Sequence, residues 1–231
     1  GSMDEAYRHA ITKMSQIHFV ANKSHKERVL QLGENSKNIY IVGGLGVDSI
    51  FQTKFLSKNE LIKKLSINFR KKNLIINMHP ETISKIKVKN QAKYLLAALG
   101  KLKETTLIFT SPGADLGNKT IFKLLKNFID KNDNAYFFQS LGHKNYYSIL
   151  KIIDGMVGNS SSGLLEMPYF NKPTVNIGNR QNGRVESKYI INCVFNTNKI
   201  SKAIKKIYTQ KSLKNHRPYG LPGASDKIIR I

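Results

Sequence analysis

Ile152-Ile-Asp-Gly-Met-Val-Gly-Asn-Ser-Ser-Ser-Gly-Leu-Leu-Glu166 is the stretch on which the reading of this chain turns. An apolar run through Val157 ends in the small, hydroxyl-rich segment Gly158-Asn-Ser-Ser-Ser-Gly163, and a helix-capable segment over 164–170 follows. The pattern reads as a strand, a turn and the opening of a helix. Glycine lets backbone come close to a ligand, serines cap or donate, and the first helical N–H groups lack intrahelical acceptors, so such a turn suits phosphate. Glu166 follows Ser162 by four residues. Near the helix mouth its carboxylate would accept from a sugar hydroxyl and repel phosphate oxygens, so the two features together suggest a nucleotide. A serine cap followed by an acid that complements the helix dipole would give the same pattern with no ligand at all.

Outward from this turn, short apolar strands alternate with longer helices. Towards the N-terminus the spacing predicts a helix over 7–14, a strand over 18–21, a helix over 24–32 stopped by Gly33, and a strand over 39–42 that ends in Gly43-Gly44. That is the tail of an α/β unit. Helical spacing over 54–69 then leads to strands over 74–78, 106–110, 135–139, 174–177 and 190–195, with helices over 84–99, 119–129, 146–151 and 199–208 between and after them. A Pro-, Gly- and Lys-rich tail closes the chain. Such alternation implies an open parallel sheet covered on both faces, with ligands outside the carboxyl ends of its strands. His79, 111–115, 141–143, 160–162 and 178–184 would then share one edge.

Each of these turns carries its own chemistry. His79 leaves a strand directly before Pro80-Glu81, where an imidazole that titrates near neutrality could donate to a leaving phosphate; a backbone-bonded strand end is the plainer account. Asn179-Arg-Gln-Asn-Gly-Arg184 brings two guanidinium forks that suit phosphate. Arg180 is nearer the strand end, and Arg184 could instead hold the loop. Asp115, after Ser111-Pro-Gly, could contact a sugar or cap the helix near Lys119, and Gly142 in Ser140-Leu-Gly-His143 would permit close approach to a flat base.

Composition narrows the classes. The 231 residues, 40% hydrophobic, describe a folded protein; no run approaches a membrane span, and the first residues show no signal-peptide core, so a cytoplasmic location and no membrane partner are expected. Cys193 is the only cysteine, which excludes an intrachain disulfide and a thiolate-rich metal site, and it reads as a core residue. The six histidines form no compact ligand motif, so no metal is assigned. Lys and Arg number 38 against 15 Asp and Glu, a net charge of +23, but the lysines are spread over nearly every segment without aromatic interleaving. That charge reads as solvated surface with weak affinity for polyanions at low salt, and no specific nucleic-acid partner is expected.

Taken together, Asp4-Glu5 with 8–13, His79-Pro80, Ala114-Asp115, 140–142, 158–163 with Glu166, 175–184, 218–220 and 224–228 resemble, in order along the chain, the hydrolysing UDP-N-acetylglucosamine 2-epimerase family, particularly its bacterial sialic- and nonulosonic-acid branch. The resemblance implies an α/β fold: a Rossmann-like parallel-sheet domain of glycosyltransferase-B type, preceded by the end of another Rossmann-like domain. It implies boundaries at 1–52 for the remnant of the first domain and linker, 53–208 for the UDP-binding domain and 209–231 for a tail that crosses back. On that alignment the chain begins in the middle of the protein, although Gly1-Ser2 could also be an expression scar.

The resemblance implies that Ser161, Ser162 and Gly163 hold the UDP diphosphate, Glu166 binds ribose hydroxyls, and His79 and Arg180 stabilise the departing diphosphate. Arg8 and His9 would reach the interdomain cleft, Asp115 the sugar side, with Gly142 and Arg184 as further contacts. The principal acidic catalysts would belong largely to the absent domain, which would complete the cleft as the chain's partner. No cofactor is implied, and a homo-oligomer is left open. The implied reaction converts UDP-GlcNAc and water to ManNAc and UDP through a glycal. The alternatives are a hydrolysing 2-epimerase for a UDP-2,4-diacetamido-trideoxyhexose, a non-hydrolysing epimerase, a glycosyltransferase of this architecture, or a non-catalytic nucleotide-sugar- or nucleic-acid-binding module.

Overall fold

The computed structural model describes residues 5–113, 115–209 and 216–231; Asp4 and Ala114 of the motifs above, and Gly1-Ser2, lie outside them. The chain opens with α1 (Glu5–Met14), β1 (His18–Val20), α2 (Lys23–Gln31), β2 (Ile39–Ile41) and α3 (Leu45–Gln52). Strands β1 and β2 pair in parallel as a two-stranded sheet. There follow α4 (Lys58–Leu65), β3 (Lys72–Asn77), α5 (Val88–Leu99), β4 (Thr105–Thr110), α6 (Asn118–Ile129), β5 (Ala135–Phe138), α7 (Gly142–Ile152), β6 (Gly155–Gly158), α8 (Ser162–Leu165), β7 (Thr174–Ile177), β8 (Ile190–Cys193), α9 (Thr197–Ile207) and α10 (Ala224–Ile229).

The larger sheet has six strands in the order β5-β4-β3-β6-β7-β8, every pair parallel. Its strands read as nearly unbroken apolar runs because both faces are covered. Leu74 and Ile76 of β3, Leu107 and Phe109 of β4, and Val157 of β6 pack into one core beneath α5, α6 and α9. The alternate residues Ile75, Ile108 and Met156 pack into a second core with α4, α7 and Met167. In chain order the sheet grows from β3 outward through β4 to β5, then returns to β6 on the other side of β3. The crossovers must reverse direction between β3 and β6, and the carboxyl ends of those two strands therefore flank a crevice.

Several boundaries depart from the sequence expectation. The helix expected over 54–69 is confined to α4, started by a Ser57–Glu60 capping box and stopped by Ser66 in a left-handed conformation. Residues 84–87 stay outside α5, because the Gln91 side chain engages the backbone of Glu81 and Ile86 and holds that segment as a loop. Helix α7 starts at Gly142 rather than 146, and Ile152 belongs to it rather than to β6. The helix expected over 164–170 splits into α8 and a 3-10 turn, Met167–Phe170, where Pro168 supplies no N–H.

Helices α3 and α10 are not anticipated by the pattern. They stabilise each other: the Asp48 carboxylate of α3 accepts from the backbone N–H groups of Gly223 (2.6 Å), Ala224 (3.2 Å) and Ser225 (2.8 Å) and from the Ser225 hydroxyl (2.8 Å). A carboxylate from one helix thus caps the other. Those donors hold Asp48 at a pKa of about 2.

Candidate active site

The crevice is built on backbone contact. Gly158 lies beside Asn77 in the β3–β6 register, and any side chain there would run into the Asn77 carbonyl, at a φ of +148° that also favours glycine. Asn159 then ties the strand ends together. Its Oδ1 accepts the His79 N–H at 2.7 Å and its Nδ2 donates to the His79 carbonyl at 2.9 Å. Its own carbonyl accepts from Gln181 Nε2 at 2.6 Å and from Arg180 Nη1 at 3.4 Å. One buried asparagine therefore connects the exits of β3, β6 and β7.

His79 has its Nδ1 occupied, since that atom accepts the backbone N–H of Gly113 at 2.8 Å. Burial, reinforced by the Arg180 charge and opposed by Asp115, lowers its pKa to about 4. The ring is therefore neutral at pH 7 with its proton on Nε2, a hydrogen-bond donor rather than a cationic acid. Arg180 reaches Asp115 Oδ2 at 3.3 Å, an ion pair that leaves the carboxylate half exposed. His79, Asp115 and Arg180 are thus brought together, as one cluster of mixed charge.

The loop that presents Arg180 rests on Glu81. This buried carboxylate accepts the Asn179 N–H at 2.8 Å, and a side chain at Gly178 (φ +79°) would collide with it and with Phe195. Neither Asn159 nor Glu81 is singled out by sequence reasoning, although each directly follows or nearly follows a residue that is; the signal is a polar residue forced inside next to a strand exit.

The Ser/Gly turn forms a second cluster. Ser161 stands at the N-cap of α8, and its carbonyl accepts the N–H groups of Leu164 and Leu165, both at 2.9 Å, while its hydroxyl caps no helix N–H. The N–H of Ser162 donates to Ser160 Oγ at 3.3 Å and that of Gly163 to the Ser160 carbonyl at 3.2 Å. Gly163 is buried and faces Thr174 and Met156, where its missing side chain lets α8 lie close to the sheet. The Ser162 hydroxyl meets Tyr146 Oη at 2.6 Å and the Glu166 carboxylate. Tyr147 Oη donates to Glu166 Oε1 at 3.4 Å. Burial raises the Glu166 pKa, with Ser162 and Tyr147 working against the rise, and pushes that of Tyr147 up to about 12. Thr110, Gln139, Gly142, His143, Tyr147 and Glu166 are among the residues lining a cavity of about 340 Å³ here.

Arg8 and His9 stand elsewhere, on a cavity of about 520 Å³ against the two-stranded sheet, lined also by His25 and Arg28; no other candidate residue lines it. Arg184 is near enough to His25 and Tyr219 for its charge to help lower the His25 pKa, after burial and Arg28. Cys193 is partly buried and its thiol is pushed up to about 11 by burial, which keeps it a thiol. Among the described residues no group of three or more His, Cys, Asp and Glu gathers to hold a metal ion, and no helix is long and apolar enough to cross a membrane.

A family model described as UDP-N-acetylglucosamine 2-epimerase matches residues 1–231. The chain is 38% identical over 216 residues to the GDP/UDP-N,N'-diacetylbacillosamine 2-epimerase (hydrolyzing) of Campylobacter jejuni, covering 93% of this chain and 56% of that protein. It is 34% identical to the polysialic acid biosynthesis protein P7 of Escherichia coli, covering 99% of this chain and 59% of that one. The chain thus spans between half and two thirds of the length of these relatives. A co-structure of S. aureus MnaA with UDP has the same fold, with a TM-score of 0.76 at 19% identity, over 98% of this chain and 61% of that chain. The six-stranded sheet and its helices are the Rossmann-like arrangement of the glycosyltransferase-B type.

Proposed function

Because the chain belongs to the UDP-N-acetylglucosamine 2-epimerase family, we propose that its crevice is the UDP-holding half of the active site of a hydrolysing 2-epimerase. The observation that carries this reading is the neutral His79, with Nε2–H as its donor, gathered with Arg180 at the β3–β6 crevice beside the Ser/Gly turn. Ser161, with Arg180 and His79, holds the diphosphate; Glu166 accepts from ribose hydroxyls; the base lies over Gly142. The Nε2–H contact strengthens as negative charge accumulates on the oxygens of departing UDP, with Nδ1 still held by Gly113.

In the proposed reaction a base removes the C2 proton as the C1–O bond to UDP breaks, leaving a glycal. Water then delivers hydroxyl to C1 and a proton to the opposite face of C2, which releases the free 2-epimer. The groups that handle the C2 proton belong, on this reading, to the length of the relatives that the chain does not match. Two features support a further domain against the first segment. Phe19 and Ile41 of the two-stranded sheet are 42% and 48% exposed, and two parallel strands make a marginal sheet alone. We accordingly take 1–52 as the end of a first Rossmann-like domain, 53–208 as the UDP-binding domain, and 209–231 as a tail that crosses back to the first segment, consistent with the Asp48 contacts to α10. A cytoplasmic location goes with this reading.

UDP-GlcNAc, giving ManNAc, is the first substrate proposed. A second, a UDP-linked 2,4-diacetamido-trideoxyhexose, is favoured by the name of the Campylobacter relative. Product analysis on the intact coding sequence with both UDP-sugars tests the reading. Free ManNAc and UDP support it, release of the diacetamido sugar alone transfers it to the second substrate, and a 2-epimer still attached to UDP overturns hydrolysis.

A further inference from the structure

Five polar side chains run in one line beside the 340 Å³ cavity, which Thr110, Tyr146 and Glu166 among them also border. Thr110 Oγ1 donates to Asn77 Oδ1 at 3.0 Å, Asn77 Nδ2 donates to Tyr146 Oη at 2.8 Å, Tyr146 Oη meets Ser162 Oγ at 2.6 Å, and Ser162 Oγ donates to Glu166 Oε2. The direction of every bond follows from counting protons. Asn77 spends an amide hydrogen on Tyr146, so the phenol's single proton is free to go onward. Ser162 gives its single proton to the carboxylate, so its oxygen must accept that of Tyr146. Asn77 is itself buried, and its amide orientation is set from the carboxylate end: Tyr146, having given its proton to Ser162, must accept from Nδ2, which leaves Oδ1 to accept from Thr110. With Glu166 ionised, reversing the Tyr146–Ser162 bond would leave the carboxylate without the Ser162 proton.

We propose that Asn77 and Tyr146 are positioning residues: through Ser162 they hold the Glu166 carboxylate in the orientation that accepts the two ribose hydroxyls of the nucleotide. The proposal rests on the nucleotide reading above and deepens it. It also divides the labour within the Ser/Gly turn. The Ser162 proton is committed to Glu166, so Ser162 serves the ribose side and its neighbour Ser161, whose hydroxyl caps no helix N–H, is left for the diphosphate. Burial keeps the Tyr146 phenol protonated well above neutrality, so it retains the proton that it gives to Ser162.

The test compares binding of UDP with that of 2',3'-dideoxy-UDP, which lacks both ribose hydroxyls, by calorimetry or ligand-observed NMR. The wild-type protein is expected to prefer UDP by about tenfold, the scale of a charged hydrogen-bond acceptor left unmatched. Tyr146→Phe is expected to cut that preference to about twofold by weakening UDP alone, whereas a general loosening of the fold would weaken both ligands equally. Asn77→Ala, at a buried member of the line that does not itself line the cavity, is expected to reduce the preference about half as far on a logarithmic scale and decides the matter if Tyr146→Phe does not fold. A preference unchanged in the folded variant overturns the relay while UDP binding itself stands. Failure of UDP to bind the wild-type protein overturns the nucleotide reading and the relay with it.

Discussion

The backbone N–H of Gly113 donates to Nδ1 of His79 at 2.8 Å, and this contact between the exits of β4 and β3 settles which imidazole nitrogen carries the proton. It also explains a glycine: a side chain at 113 would come within 3.0 Å of that same nitrogen. The contact requires a neutral ring, and burial beside Arg180 provides one.

His79 therefore makes stability depend on pH. Its folded pKa of about 4 lies below the ordinary value of 6.5, so the unfolded chain binds the extra proton between these limits. Stability contributed by the neutral ring is complete above pH 6.5 and falls as the pH drops towards 4, by up to about 3 kcal/mol. Urea unfolding at pH 7 and pH 4.5 should show a smaller difference in His79→Gln than in the wild-type protein; an equal difference would remove His79 as its source.

Arg180 is divided between Asp115 and the Asn159 carbonyl. Arg180→Ala should weaken UDP about 10- to 100-fold, the cost of one charged fork on a phosphate. Asp115→Asn, which releases the guanidinium, should tighten inorganic pyrophosphate severalfold at low salt. Titration calorimetry reads both, and a tighter complex in Arg180→Ala would count against the diphosphate assignment.

Gly178 combines a φ of +79° with a carboxylate and a phenyl ring where a side chain would be. Gly178→Ala should cost about 3 kcal/mol from backbone strain and displacement of Glu81 and Phe195. Because the Asn179 N–H bond to Glu81 would go with it, UDP affinity should fall too. Thermal unfolding with and without UDP measures the two effects separately.

Asp48 holds α10 through backbone donors 175 to 177 residues away. Asp48→Ala should lose about 2 kcal/mol or more, since several backbone N–H groups lose their acceptor at once. With a folded pKa of about 2, below the ordinary 3.8, its contribution is complete above pH 4 and declines as the pH falls towards 2. Amide exchange at Ala224 and Ser225 should accelerate in the variant while exchange in β3 stays slow.

Much of the fold was legible because its signals are local. The apolar runs of β3, β4, β6 and β7 and the breaks at His79-Pro80 and Gly158 announce a parallel sheet whose polar turns gather at one end. Helix ends were less legible where a side chain from elsewhere decided them. Gln91 keeps 84–87 out of α5, and Asp48 caps α10, which has Gly223 at its own N-cap and no side-chain cap bond there. Among site residues, His79, Asp115 and Arg180 stand out as reactive types at strand exits. Asn159, Glu81, Asn77 and Tyr146 do not, because their roles lie in bonds to distant partners and their residue types are ordinary ones for a loop, a strand end or a helix face.

The strand–turn–helix at Gly158-Asn-Ser-Ser-Ser-Gly163, the parallel α/β class and the gathering of polar turns at one sheet edge were written in the amino-acid order, since periodicity and backbone chemistry act over a few residues. The neutral state of His79, the pairing of Arg180 with Asp115 and the commitment of the Ser162 proton to Glu166 emerge only in the assembled fold. Those outcomes depend on burial and on hydrogen-bond partners such as Gly113 for His79, 34 positions away, and Tyr146 for Asn77, 69 positions away, which meet only when the sheet is assembled.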